Sequence, residues 1–244
     1  MEIIKVKDYE AMSEEACAFL VERINRFENP VLGLATGSTP EGLYKRIIEK
    51  YNQNEVSFKQ VKSFNLDEYV GLEKEDPNSY YYFMKDKLFD HVDITLDNVR
   101  VPNGVAADLK EECETHEAAM KAAGGIDIQL LGIGANGHIG FNEPGTPFTS
   151  TTHVVDLDES TIEANSRFFN SIEEVPTQAI SMGIDTIMRS KEILLLVSGE
   201  NKAEALAKLI NGEVTEDVPA SVLQNHANVT VIADEAALSV INGK

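Results

Sequence analysis

The first regular pattern along the chain covers residues 8 to 27, where Met12, Ala16, Leu20 and Ile24 recur every four positions. Glu14, Glu15, Glu22 and Arg23 fall off that line. Apolar residues at helical spacing, with charges elsewhere, predict an amphipathic helix. The pattern then changes. "PVLGLAT" is a short apolar run that predicts a buried strand, and "TPEGLYKRIIEKYNQ" a helix, with Thr39 placed to cap it and Pro40 suited to its first turn. "VKSFNLD" predicts a second strand. The alternation continues through helical "SYYYFMKDKLFDHV", strand "NVRVP", helical "DLKEECETHEAAMKAA" and strands "IDIQLLGIG", "HVVDLD" and "QAISMG". Helical "DTIMRS", strand "EILLLVSG", helical "NKAEALAKLING" and strand "VTVIAD" complete it.

Near-continuous apolar strands alternating with helices imply an α/β fold: a single Rossmann-like domain over residues 1–244, its doubly wound, mostly parallel sheet covered by helices on both faces. In such folds ligands bind beyond the carboxyl ends of the strands. Four post-strand loops are rich in reactive groups: "TGSTP" at 36–40, "NLDEYVGL" at 65–72, "GIGANGHIGFNEPGTPF" at 132–148 and "SGENK" at 198–202.

Composition narrows the partners. The 244 residues are 43% hydrophobic and 25% charged, and 21 Lys and Arg against 41 Asp and Glu leave a net charge of −20. With no strongly basic block, neither nucleic acid nor an anionic membrane is an expected partner. Cys17 and Cys113 lie far apart without a C-x-x-C, and the five histidines lack metal-ligand spacing, so a reduced, metal-free, cytoplasmic protein is expected. "MEIIKVKDYE" lacks the apolar core of a signal peptide, and the longest apolar run, "ILLLV" at 193–197, is too short to cross a bilayer.

In so acidic a chain an anionic ligand must meet locally placed donors. Gly37, Ser38 and Thr39 sit between a strand and a helix, where free backbone N–H groups, two hydroxyls and the positive end of the helix dipole suit a phosphate. The Gly-Lys pair of a nucleotide-triphosphate loop is absent. The plainer alternative is that Gly37 makes the turn and Thr39 caps the helix. "SGENKAEAL" repeats the junction with Lys202 in the first helical turn, where a cation opposes the dipole unless an anion compensates. Arg167 in "ANSRFF" is a further source of positive charge.

Asp67 and Glu68 follow a strand side by side, where burial and mutual repulsion would raise one of them toward the pKa of a working general base. The competing reading is a capping Asp and a solvated Glu. The glycines at 132, 134 and 137 match the G-x-G-x-x-G dinucleotide fingerprint, and Asp156 stands about twenty residues on. That fingerprint must open a helix, however, and Gly137, Gly140, Pro144, Gly145 and Pro147 forbid one. The alternative is a loop folded closely around a small ligand, with His138, Asn142 and Glu143 supplying polar groups. A carboxylate accepting from one imidazole nitrogen would leave the other free for proton transfer.

At this point "LGLATGSTPEGLYK", "FNLDEYVGL", "SYYYFM", "LFDHVDI", "GIGANGHIGFNEPG", "ANSRFF" and "GENKAEAL" together resemble the glucosamine-6-phosphate deaminase family, in order and over nearly the whole chain. The resemblance implies conversion of glucosamine 6-phosphate and water to fructose 6-phosphate and ammonia, in amino-sugar catabolism, without metal or organic cofactor. It implies Asp67 as the base moving a proton from C2 to C1, and His138 with Glu143 as the pair that assists ring opening. Gly37, Ser38, Thr39, Arg167 and Lys202 would bind the phosphate.

There are two departures from the family pattern. Some members carry Asp where this chain has Asn136, which cannot ionise, so His138 relies on Glu143 for charge support. Members activated by N-acetylglucosamine 6-phosphate carry basic residues after the Glu-Pro pair, whereas "TSTTHVVDLD" offers only His153, so that activator site is not expected here. The pattern leaves monomer or homo-oligomer open. The rival readings are a 6-phosphogluconolactonase, which needs no base like Asp67, and a non-catalytic sugar-phosphate-sensing domain, which would call for an attached helix-turn-helix.

Overall fold

The computed structural model describes residues 1–166 and 169–242. It begins with an edge strand that the apolar pattern does not announce, β1 (Glu2–Val6), only part-buried and paired in parallel with a strand from the far end of the chain. Helix α1 (Tyr9–Arg26) starts where Asp8 accepts the Ala11 N–H, and buries Met12, Ala16, Leu20 and Ile24 as their spacing requires. Next come β2 (Val31–Leu34), α2 (Ser38–Asn52), β3 (Lys62–Asn65), β4 (Asp67–Tyr69), α3 (Tyr80–Lys87), β5 (Val99–Arg100) and α4 (Leu109–Ala122). The second half contains β6 (Ile128–Leu131), β7 (His153–Asp156), α5 (Glu159–Asn165), β8 (Gln178–Ser181) and α6 (Ile184–Met188). Strand β9 (Glu192–Val197), α7 (Ala203–Asn211), β10 (Val229–Asp234) and α8 (Ser239–Asn242) follow.

Seven strands form one parallel sheet in the order β1-β10-β9-β6-β2-β3-β5. The inner strands β2, β6 and β10 are buried at every position, which explains their near-continuous apolar runs, interrupted by the buried Gln129, Thr230 and Asp234. Right-handed crossovers put α1, α2 and α3 on one face and α4 and α7 on the other, and α1 packs on α2 accordingly. The chain leaves β2 toward β3 but leaves β6 toward β9, although β2 and β6 are neighbours. Their connections diverge and open a crevice at their carboxyl ends, the place where such sheets bind ligands.

One expectation needs correction. "HVVDLD" and "QAISMG" do not extend the main sheet; β7 and β8 pair antiparallel with each other, and β4 pairs antiparallel with β8, forming a separate three-stranded sheet. The run "VKSFNLD" is therefore two strands. Leu66 is the hinge between them: its N–H donates to Leu34 in the main sheet while its carbonyl accepts from Met182 beside the small one. The small sheet has its own apolar cluster of Tyr69, Phe141, Leu157 and Ala179. Among the described residues, no helix is long and apolar enough to cross a membrane.

Candidate active site

A cavity of about 490 Å³ occupies the crevice, with Thr36, Thr39, Asp67, Tyr80, His138 and Lys202 in its wall. Of the expected residues, Thr39, Asp67, Asn136, His138 and Lys202 meet there. Gly37, Ser38 and Glu143 stand behind this lining, and Arg167 lies outside the described residues.

At the first loop, Gly37 adopts φ of 90°, a left-handed conformation natural to glycine, and turns the chain from β2 into α2. Gly37 is the cap position and offers no side chain, so the expectation that Thr39 caps the helix is wrong: Thr39 lies inside the first turn and lines the cavity. Helix-terminal N–H groups are therefore left for another acceptor. The Ser38 carbonyl accepts the Tyr9 hydroxyl, whose oxygen accepts the Gly42 N–H in turn, so α1 steadies the loop. At the second loop, buried Asp234 accepts from Ser198 Oγ and from the Gly199 and Ala237 N–H groups. A short 3-10 turn, Glu200–Lys202, leads from there into α7, so Lys202 sits at the cap position just before that helix rather than within its first turn.

Asp67 and Glu68 are both buried, and neither acts as the plainer sequence reading supposed. Neighbours on a strand point to opposite faces. Asp67 lines the cavity, and burial, with the charge of Glu68 added, pushes its carboxyl up to about 8. Glu68 turns away and does the capping: it accepts the N–H groups of Tyr69, Tyr80 and Tyr81 at 2.9 to 3.0 Å. Burial raises Glu68 to about 7 even though those three donors favour its charged form.

Residues 132–148 contain no helix, and Asp156 is hydrogen-bonded to Gln178 in the small sheet, so the dinucleotide reading has no structural support. The glycines serve the histidine instead. A Cβ on Gly134 would stand 2.2 Å from the His138 ring, so only glycine lets the imidazole lie against that backbone. His138 Nδ1 is 2.8 Å from Asn136 Oδ1 and 3.4 Å from Glu143 Oε1, both acceptors. The proton on this side therefore belongs to Nδ1, and Nε2 is left for chemistry. Asn136 also donates to Glu143 Oε2 at 2.6 Å, and Thr161 donates to Oε1 at 3.0 Å. Although burial opposes it, these bonds and the one from His138 hold the Glu143 carboxyl below its ordinary range, keeping it an anion behind the ring.

Asn142, expected to face a ligand, is wholly buried and donates to the carbonyls of Ile139 and Met182, both at 2.8 Å. It ties the histidine loop to β8, the strand that pairs with Asp67. Sequence reasoning missed Tyr80, Thr161 and Asn201, all in the wall. The signal for Tyr80 was Ser79, a helix cap that accepts from Tyr82 and fixes where α3 begins. Thr161 and Asn201 carry no comparable mark.

The fold and the cavity define an α/β protein whose switch-point site sets a buried carboxyl beside a carboxylate-backed imidazole, the equipment of an acid–base enzyme. Residues 7–232 match the family of glucosamine-6-phosphate isomerases and 6-phosphogluconolactonases, and the chain belongs to that family. It is 61% identical to a glucosamine-6-phosphate deaminase of Oceanobacillus iheyensis over 99% of this chain and 97% of that one. It is 60% identical to another from Shouchella clausii, covering 100% and 99%. A solved structure of a monomeric glucosamine-6-phosphate deaminase matches with a TM-score of 0.96 at 49% identity, covering 98% of this chain and 100% of that one. The 6-phosphogluconolactonase of Trypanosoma cruzi matches with a TM-score of 0.80 at 21% identity over 98% and 96% of the two chains, a likeness of fold.

Proposed function

We propose that the chain is a glucosamine-6-phosphate deaminase, converting glucosamine 6-phosphate and water to fructose 6-phosphate and ammonia. The observation that carries the reading is the buried Asp67 carboxyl in one cavity with His138, in a chain 55 to 61% identical to three deaminases. Relatives named for the lactonase lie at 15 to 21% identity and share only the fold.

The phosphate is held at the amino end of α2, by the backbone after Gly37 with Ser38 and Thr39, with Lys202 and Arg167 supplying charge. His138, with a proton fixed on Nδ1, relays a proton through Nε2 to open the sugar ring, and the imidazolium so formed is stabilised by Glu143 directly and through Asn136. Asp67 takes the proton from C2 of the open-chain aldehyde and returns it to C1. As the nitrogen gives up a proton and O1 gains one, the double bond comes to lie between C2 and nitrogen, and water adds there to release ammonia and leave the ketone. A carboxyl raised to about 8 holds a transferred proton well, and a substrate ammonium beside it would draw it down toward the basic form. The reading makes the protein a cytoplasmic enzyme, monomer or homo-oligomer, and the free thiols of Cys17 and Cys113 fit a reducing compartment.

The discriminating assay offers the purified protein glucosamine 6-phosphate and 6-phosphogluconolactone in parallel. Ammonia from the first without accelerated hydrolysis of the second is expected; the reverse outcome refutes the reading.

A further inference from the structure

Tyr80 stands in the cavity wall, but its position depends on an acid that does not line the cavity. Its ring lies 4.8 Å from that of Tyr69 and, stacked at an interplanar angle of 6°, 6.3 Å from that of Phe141. Its hydroxyl interacts with the side chains of Tyr69 and Thr36. Thr36 belongs to the loop that enters α2, and Tyr69 shares β4 with Asp67, so Tyr80 touches both of the segments assigned to opposite ends of the sugar.

What holds Tyr80 there is Glu68. Oε1 accepts the Tyr69 and Tyr80 N–H groups, and Oε2 accepts that of Tyr81. Ser79 already supplies an ordinary cap by accepting the Tyr82 N–H. Glu68 takes the Tyr80 and Tyr81 N–H groups that Ser79 leaves, and it does so as a carboxylate 2% exposed and bonded at once to its own strand and to the next helix, a costlier arrangement than an exposed capping side chain. The bonds have one geometric effect: they weld the first turn of α3 to the strand that carries Asp67.

We propose that Glu68 is a positioning residue of the deamination, acting through Tyr80, whose ring sets the span between the phosphate loop and Asp67. The inference rests on the reading of the cavity as the sugar-phosphate site. Without Glu68 the substrate still binds by its phosphate, but C1 and C2 lie off line from the base.

The test is a double-mutant cycle on glucosamine 6-phosphate turnover, with kcat and KM measured for wild type, Glu68→Gln, Tyr80→Leu and the pair. Misplacement by about 1 Å costs up to roughly 100-fold, so Glu68→Gln is expected to lower kcat by roughly 10- to 100-fold while KM moves less than about threefold. Gln offers one acceptor where three donors converge. The double variant is expected to be no slower than the slower single one, because both changes remove the same placement. Tyr80→Phe, which keeps the ring, should stay within a few-fold of wild type, by roughly the worth of one hydrogen bond.

Losses that multiply in the double variant overturn the proposal, as does unchanged kcat in Glu68→Gln. If Glu68→Gln does not fold, Glu68→Asp takes its place under the same criteria, and failure of both to fold assigns Glu68 to the fold alone and refutes the proposal. A wild type inert on glucosamine 6-phosphate would refute the functional reading itself, before any variant is compared.

Discussion

Asp67 and Glu68 carry the same charge one residue apart, and strand geometry sends one into the cavity and the other to the backbone of α3. The raised Asp67 carboxyl has a cost in stability. Its pKa in the folded state, about 8, lies above that of an unfolded chain, so the native protein binds this proton more tightly and loses stability as pH rises from about 4 to about 8. Asn at this position carries no charge to desolvate. The melting temperature of Asp67→Asn should therefore exceed that of wild type by a margin that widens from pH 5 to pH 8, at about 2–4 °C per kcal/mol. A margin that ignores pH, or a less stable variant at pH 8, would contradict the burial argument. A second expectation concerns His138: replaced by Ala, turnover of cyclic substrate should fall far more than turnover of pre-opened substrate, and equal losses would remove its ring-opening role. Sequence singled out both residues because each follows a strand of an α/β fold. The residue pattern alone left open which of the two carboxylates faces the ligand, and only the family resemblance pointed to Asp67, because the choice depends on the pairing of Asp67 with Ser181, a partner more than a hundred residues away.

At the scale of elements, the loop after β6 shows how backbone and side chain share a task. Pro and Gly made the lack of a helix legible, but the purpose of Gly134 was not, since the His138 ring reaches its backbone only in three dimensions. Gly134 is not among the glycines with positive φ, so Ala fits the backbone conformation there, and the atoms its Cβ meets first are those of the imidazole. Gly134→Ala should keep its melting temperature near that of wild type while turnover of cyclic substrate falls by roughly 10-fold or more. Loss of folding with no specific loss of activity would argue against this role. Asn142→Ala should behave oppositely: it removes two buried side-chain hydrogen bonds, to the Ile139 and Met182 carbonyls, which keep only the backbone N–H of residue 142 and the Ser181 hydroxyl as donors, and should cost about 1–3 kcal/mol of stability in denaturant unfolding. The small sheet was the element least legible in sequence. Its strands look like members of the main alternation, and only the partition of "VKSFNLD" at Leu66 separates them.

At the scale of the whole molecule, the diverging connections of β2 and β6 explain why loops distant in sequence line one cavity. The parallel architecture was legible because its buried strands are mostly apolar; β1 was not, because an edge strand with two of its five residues exposed reads as an ordinary polar terminus. The net charge of −20 fits the same picture, since an anionic sugar can be held only where helix-terminal N–H groups and a few cations gather. Everything in this scheme converges on Asp67 as the group that moves the proton. The direct measurement is ammonia release from glucosamine 6-phosphate by the wild-type protein and by Asp67→Asn, each shown to be folded. Turnover by wild type and almost none by the variant is the expected result; an inert wild type, or a variant at full rate, would contradict it.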